Sequence, residues 1–423
     1  MIRILQLSDI HWKDKLSALD TFKHIREGLI EDLKRGISQE GIKFDRILIC
    51  GDIAFSGAVS QYERATKFIK ELCDLVGCNK EDVFVVPGNH DKDWYEGSKE
   101  VRELINKHIA ELKSPDEVFA EWLQKDFHTA SMVFTPFKDY DNFASPYGCA
   151  EPLMHRMNSE LMNSQSKYVE DGDNLYWCDE LAEIKGYTIQ LYGLNTALFS
   201  DKEDYDTSEK RKNGHKMLLL KLAYNAAKCQ DKVVNVSMMH HPMPYIVGGD
   251  QLKDELDKLY HVQLYGHVHI AKSDNNNNCV HIFSGALQPD EMGTGKDYRP
   301  VYNIIELDIE EKGKVDNLIV NLQERYWDGK SFQEYRATQN YYVELPKHSW
   351  RSTTMKPDEK LPEGVTKHAI RVKLINNGRV KSIIDKMAPG FYDENVPKYY
   401  NIMRFLEKIR QEARWNELWK EME

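Results

Sequence analysis

The stretch Val83-Phe84-Val85-Val86-Pro87-Gly88-Asn89-His90-Asp91 sets four apolar residues, three of them β-branched, directly before a Pro-Gly break and three polar side chains. A short apolar run bounded by turn residues reads as a buried strand, and the polar residues after it read as a loop. The same texture appears upstream. Ile2–Leu7 and Arg46–Cys50 are predicted strands, each trailed at once by polar residues, Ser8-Asp9-Ile10-His11 and Gly51-Asp52. Amphipathic patterns predict helices over Thr21–Arg35 and Gln61–Val76 between them. Strand and helix in alternation imply parallel pairing and an α/β fold, in which ligands gather beyond the carboxyl ends of the strands.

Downstream, Leu175–Cys178, Tyr187–Leu191, Lys232–Met239, Val262–Tyr265 and Val280–Ser284 are further strand candidates. Val301–Asp308 and Asn317–Gln323 alternate apolar and polar residues, as half-exposed antiparallel strands do. Two of these runs again end in chemistry-bearing residues, Met239-His240-His241-Pro242 and Tyr265-Gly266-His267-Val268-His269. Residues 92–168 read as a mainly helical insertion, and Asn275–Asn278 as a hairpin or loop tip. The domain reading is a catalytic domain over 1–343, a proline-marked linker over 344–366 and a helical domain over 367–423.

Composition removes several classes. The chain has 423 residues, 41% of them hydrophobic, enough for a sizeable core and too many for a disordered chain. No run approaches the roughly 20 apolar residues that a membrane span needs. The first residues lack the long apolar stretch and small-residue cleavage site of a secretion signal, so a cytoplasmic location is expected. Seven scattered cysteines, none spaced C-x-x-C, suit reduced thiols better than disulfides or a thiolate metal site. The net charge of −11 averages a local −8 over Glu170–Asp206 and a local +5 over Glu344–Lys381, so it says little about the substrate.

Five polar clusters, each at a predicted strand end, offer carboxylate, amide and imidazole donors and no sulfur. Such a set suits divalent ions of the Mn, Fe or Zn kind, and strand alternation would let Asp9 and His11, or His267 and His269, project together. Gly-Asn-His-Asp alone is improbable by chance, with about 420 windows set against ~160,000 four-letter words. The five clusters, in this order, resemble the calcineurin-like metallophosphoesterase superfamily, whose pattern is D-x-H, G-D, G-N-H-D/E, H and G-H-x-H. The resemblance spans about Met1 to Leu307.

It implies a four-layer αββα sandwich, here with the helical insertion and a small C-terminal all-α domain. It also implies two divalent metal ions, one held by Asp9, His11, Asp52 and His269, the other by Asp52, Asn89, His240 and His267, with Asp52 shared. His240 is taken as the ligand because it directly succeeds the apolar strand. His241 then supports the ligands from behind or faces substrate. His90 resembles the family's non-ligand histidine, which bonds the phosphoryl group and can protonate the leaving oxygen; Asp91 orients the loop. The implied reaction is phosphodiester hydrolysis by a metal-bridged hydroxide.

Where phosphoprotein phosphatases carry G-D-x-x-D-R-G, this chain reads Gly51-Asp52-Ile53-Ala54-Phe55-Ser56-Gly57, so the carboxylate partner of the histidine is missing. That loop looks most like the cyclic-nucleotide phosphodiesterase branch, also labelled exonuclease-like. The expected substrate is therefore a cyclic nucleotide or another small phosphodiester, the alternative being DNA or RNA. The apolar spacing over Arg379–Met387, Pro397–Arg410 and Glu412–Glu421 looks like the helical adaptors appended to bacterial defence proteins. That likeness implies a homo-oligomer or protein partner held through 367–423, with the chain as an effector.

Overall fold

The computed structural model describes residues 1–13, 20–93, 133–148, 176–200, 217–224, 227, 231–289, 298–313, 315–334, 336–346 and, with gaps, 361–422. The first sheet is built on β1 (Ile2–Leu7), β2 (Arg46–Ile49) and β3 (Val83–Val85), which pair in parallel. On the other side of β1 the chain adds β10 (Val301–Glu310) and β11 (Val315–Trp327), both antiparallel, and β11 also carries β12 (Phe332–Glu334) and β13 (Gln339–Pro346). The second sheet has the order β4-β5-β6-β7-β9-β8, from β4 (Tyr176–Ile184), β5 (Tyr187–Leu194), β6 (Val233–Met239), β7 (Val262–Tyr265), β8 (Ala271–Asn276) and β9 (Cys279–Ser284). Strands β5, β6, β7 and β9 run parallel.

Side-chain alternation assembles the layers. Ile2, Ile4, Leu48, Phe84, Ile305 and Val320 of the first sheet share one buried core with Leu181, Ile189, Leu191, Val236, Leu264 and Ile282 of the second. Leu5 and Leu7 point to the opposite face of β1 and are also fully buried. Strands buried on both faces read as the continuous apolar runs seen in the sequence. Helix α1 (Lys23–Glu40) is fastened outside β10 and β11 by Asp32, whose carboxylate takes the Tyr302 hydroxyl at 2.6 Å and the Arg325 guanidinium at 2.7 and 2.9 Å. α2 (Val59–Val76) lies beside α1. On the second sheet the helix Gly249–Leu259 is tied down by Asp257, which bonds Gln263 of β7 and His281 of β9, each at 2.8 Å. Two sheets face to face with helices outside make the α/β sandwich expected from the sequence.

Several boundaries differ from the sequence reading. β13 continues past Val343 to Pro346, so part of the stretch expected to be linker is sheet. β8 lacks apolar alternation because most of its residues are solvent-facing, which is why it reads as loop. Asn275 and Asn276 belong to it, and the turn is Asn277-Asn278, both left-handed with φ of 52° and 60°. The asparagines also brace a free sheet edge. Asn275 Nδ2 donates to the Tyr342 carbonyl at 3.0 Å, while the Asn278 amide takes both Glu344 backbone groups, at 2.9 and 2.7 Å. Most of the expected insertion 92–168 lies outside the described residues; Lys138–Ala144 within it is helical.

The described residues group into two compact units, one within Met1–Lys347 and one within His348–Glu423. The second has its own apolar core, including Ile370, Ile384, Ile402, Phe405, Ile409 and Leu418, with helices Val380–Met387 and Trp415–Met422.

Two outcomes are expected. Asn278→Ala removes two hydrogen bonds to β13 and should lower unfolding free energy in urea by about 1–2 kcal/mol; an unchanged midpoint would deny the edge brace. Glu324, 2% exposed on β11, has its carboxyl pushed up by burial, which Arg336 at 3.9 Å opposes only in part. The folded state then keeps a proton that the unfolded chain releases, so this group costs stability as pH rises from its unfolded value through its folded one. Glu324→Gln should therefore gain stability relative to the parent as pH rises above the ordinary glutamate value of about 4.3. A gap that does not change with pH would contradict this.

Candidate metal centre

The carboxyl ends of β1, β2 and β3 in one sheet and of β6 and β7 in the other bring all five polar clusters together. The side chains are not aimed by strand alternation, as the sequence suggested. β1 stops at Leu7 and β7 at Tyr265, so the clusters lie past the pleat. Asp9, His11, Asp52, His267 and His269 instead adopt left-handed backbone, with φ between 49° and 68°. That conformation costs an L-residue roughly 1–2 kcal/mol, and it survives where the surroundings over-determine it. Here the loops are stitched to one another: Asp9 N–H donates to the Gly51 carbonyl at 3.0 Å, and Ile10 and His11 N–H both donate to that of Asp52 at 2.9 Å.

Two groups of donors result, with Asp52 between them. In the first, Asp9 Oδ1 lies 3.2 Å from His269 Nε2 and 3.8 Å from His11 Nε2, and the two histidine nitrogens are 3.4 Å apart. In the second, the donor atoms of His240, His241 and His267 lie within 4.8 Å of one another. Asp52 Oδ2 sits 3.2 Å from His240 Nε2 and 3.9 Å from His11 Nε2, so one carboxylate reaches both. Asn89 Oδ1 lies 3.0 Å from His241 Nε2.

The residues around these donors fix which atom faces inward. His240 Nδ1 donates to the Cys50 carbonyl at 2.8 Å, which turns Nε2 to the site. Asp9 Oδ2 accepts from Ser8 Oγ at 2.5 Å and from the His267 amide at 3.1 Å, which leaves Oδ1 for the site. Asp9 Oδ1 and His240 Nε2 are both buried and without a hydrogen bond among the described residues. A buried polar atom left so carries an unmet desolvation cost. Two such atoms converging within an all-oxygen and nitrogen set fit a divalent ion. The glycines of the clusters serve the same packing. A Cβ on Gly88 would fall 2.1 Å from Asp52 Oδ1, and one on Gly266 2.2 Å from Ser8 Oγ.

Burial and neighbouring charges shift these groups in opposite directions. Burial resists ionisation of Asp52, yet His240, His90 and His11 outweigh it and hold the carboxyl well below its ordinary range. Burial also opposes a charge on His240, but Asp52 lifts that ring to about 9. His267 is driven down to about 3 by burial and by His240, and His241 well below the ordinary value by burial, His267 and His240. Those two rings are therefore neutral at pH 7 and keep a lone pair.

His90 belongs to the Asn89–Asp91 turn. Its Nδ1 donates to the Phe55 carbonyl at 2.7 Å, and its ring stands 4.7 Å from that of His11. The missing carboxylate partner is thus replaced by a backbone oxygen, which leaves no signature in residue types. Asp91 accepts from the backbone N–H groups of Ile53, Ala54 and Gly88 at 2.8–3.1 Å, tying two loops. Burial and Asp52 raise it to about 6.

Thr196, Tyr245 and Trp12 also belong to the surroundings and stood in no cluster read for chemistry. Tyr245 packs at 4.4 Å on His267, and the guanidinium groups of Arg26 and Arg64 lie over the Trp12 ring, at 4.2 and 4.8 Å from its centre. A separate trio, Asp257, Cys279 and His281, is a brace. Both His281 nitrogens meet carboxylates at 2.8 Å, and Lys253 and Asn277 take the other Asp257 oxygen at 2.8 and 3.0 Å.

Among the described residues no helix is long and apolar enough to cross a membrane. The chain is 26% identical over 362 residues to the metallophosphoesterase-like protein YydB of Bacillus subtilis (strain 168), covering 81% of this chain and 65% of that relative. Similar solved structures include GAP50, the anchor in the inner membrane complex of Plasmodium (TM-score 0.42, 12% identity, 82% of this chain and 90% of that one). Vps29 of Entamoeba histolytica with Zn2+ is another (TM-score 0.31, 9% identity, 81% and 99%). The family model of calcineurin-like phosphoesterases matches residues 2–271, and with that match the chain belongs to the calcineurin-like phosphoesterase family.

Proposed function

We propose that this chain is a dinuclear-metal-dependent phosphoesterase acting on phosphodiesters, of the cyclic-nucleotide or another small kind. The observation that carries the reading is Asp52, whose one carboxylate lies within 4 Å of a histidine from each donor group. Asp9, His11 and His269 would hold one ion, and Asn89, His240 and His267 the other, with Asp52 common to both. Manganese, iron or zinc all suit these donors. When bound, such a pair supplies Lewis acidity toward phosphate oxygens and an acidified water.

The chain's own groups do the rest. Asp9 and Asp52 stay ionised and offset the charge of the cations. His267 and His241, held neutral, repel no cation. His90 is fixed through Nδ1 by the Phe55 carbonyl, so Nε2 is the atom left to meet a phosphoryl oxygen or pass a proton to the leaving oxygen. Its reach toward His11 and Asp52 puts it at the edge of the ligand set.

Metal-stripped protein should gain hydrolysis of bis(p-nitrophenyl) phosphate on addition of Mn2+. Asp52→Ala and His240→Ala should each lose at least about 100-fold, the upper end of what loss of a ligand's outer partner costs. Variants as fast as the parent would overturn the reading. Cyclic nucleotides tested beside single- and double-stranded DNA and RNA then fix the substrate class; turnover of polymers alone would make the chain a nuclease. His90→Ala should lower kcat about 100-fold for alkyl leaving groups and far less for p-nitrophenol, which needs no proton. Equal losses would remove His90 from the role of acid.

A further inference from the structure

Thr196 lies just beyond β5 and is fully buried. Its Oγ1 accepts the backbone N–H of His241 at 3.0 Å and lies 3.0 Å from Nδ1 of the same ring. With one lone pair used, the hydroxyl proton has an acceptor in Nδ1. A ring that accepts at Nδ1 carries its proton on Nε2 when neutral. Nε2 stands 3.0 Å from Asn89 Oδ1, an oxygen that only accepts. The other tautomer would set the Nε2 lone pair against that oxygen.

We propose that Thr196 is a positioning residue for metal binding: by donating to His241 Nδ1 it places the proton on Nε2, and that N–H holds the Asn89 amide oxygen beside the His240 and His267 donors. This rests on the dinuclear reading of the site. An amide presents oxygen and nitrogen in nearly the same shape, and only the oxygen binds a divalent ion. An N–H facing it selects the oxygen, because the rotated amide would oppose two donors. His241 is then a support for a ligand, and Thr196, contributed by neither flanking cluster, decides its tautomer.

The test uses the full chain, stripped of metal and titrated with Mn2+ by calorimetry. Thr196→Val keeps the shape and loses the proton. It should weaken one of the two Mn2+ sites about 10–100-fold and leave the other unchanged. Thr196→Ser should bind like the parent. If Thr196→Val does not fold, His241→Gln offers a side-chain N–H that needs no threonine, and the double variant Thr196→Val/His241→Gln should recover the affinity. Without metal, 15N spectra of the imidazoles should show His241 as the Nε2–H tautomer in the parent. Asp52→Ala serves as the reference. If it binds Mn2+ like the parent, the metal centre itself is wrong and the proposal falls with it. If it loses Mn2+ while Thr196→Val binds as tightly as the parent, or if His241 is the Nδ1–H tautomer, the proposal alone is overturned.

Discussion

A carboxylate with no water around it must be given charge partners, and Asp52 is such a group: 1% exposed, at the end of a parallel strand, facing histidines from both sheets. Leaving it uncompensated would cost several kcal/mol. The fold answers with position. β2 lies inside the first sheet beside β1, so the loops after both strands meet, while β6 brings His240 from the second sheet. The backbone amide of His90 takes the remaining oxygen of Asp52 at 2.8 Å. The shared core between the sheets therefore does more than bury apolar surface, because it sets the spacing at which one aspartate can serve two sets of imidazoles.

Much of this was legible in the residues. Strands buried on both faces, such as Ile2–Leu7 and Val262–Tyr265, announce themselves as apolar runs, and polar residues just after them mark the working end of the sheet. The five clusters carry their chemistry in residue type, so Asp9, His11, Asp52, Asn89, His240, His267 and His269 could be named before any geometry was known, and the structure brings them together. Their convergence has a different cause from the pleat alternation that residue spacing suggests, since left-handed loops aim them.

What stayed hidden has physical causes. β8 is nearly all polar because it is a solvent-facing edge, and β13 was obscured by its approach to prolines. The Phe55 carbonyl is backbone, invisible to residue type. Thr196 is one threonine among many until its distance to His241 is measured. The brace around His281 offers the same residue types as a metal site, and only the presence of Lys253 and Asn277 on Asp257 tells them apart.

The left-handed backbone at Asp9, His11, Asp52, His267 and His269 has a consequence for how such a chain changes over generations. Glycine at any of these positions would relieve backbone strain while deleting a donor, so mutation pressure toward stability and selection for chemistry pull in opposite directions there. Once the chemistry is no longer selected, relief of that strain is opposed only by the backbone bonds that Asp9 and Asp52 accept from His267 and His90. The sandwich beneath, built on a core separate from the loops, would persist as a rigid platform whose upper surface is free to acquire another use.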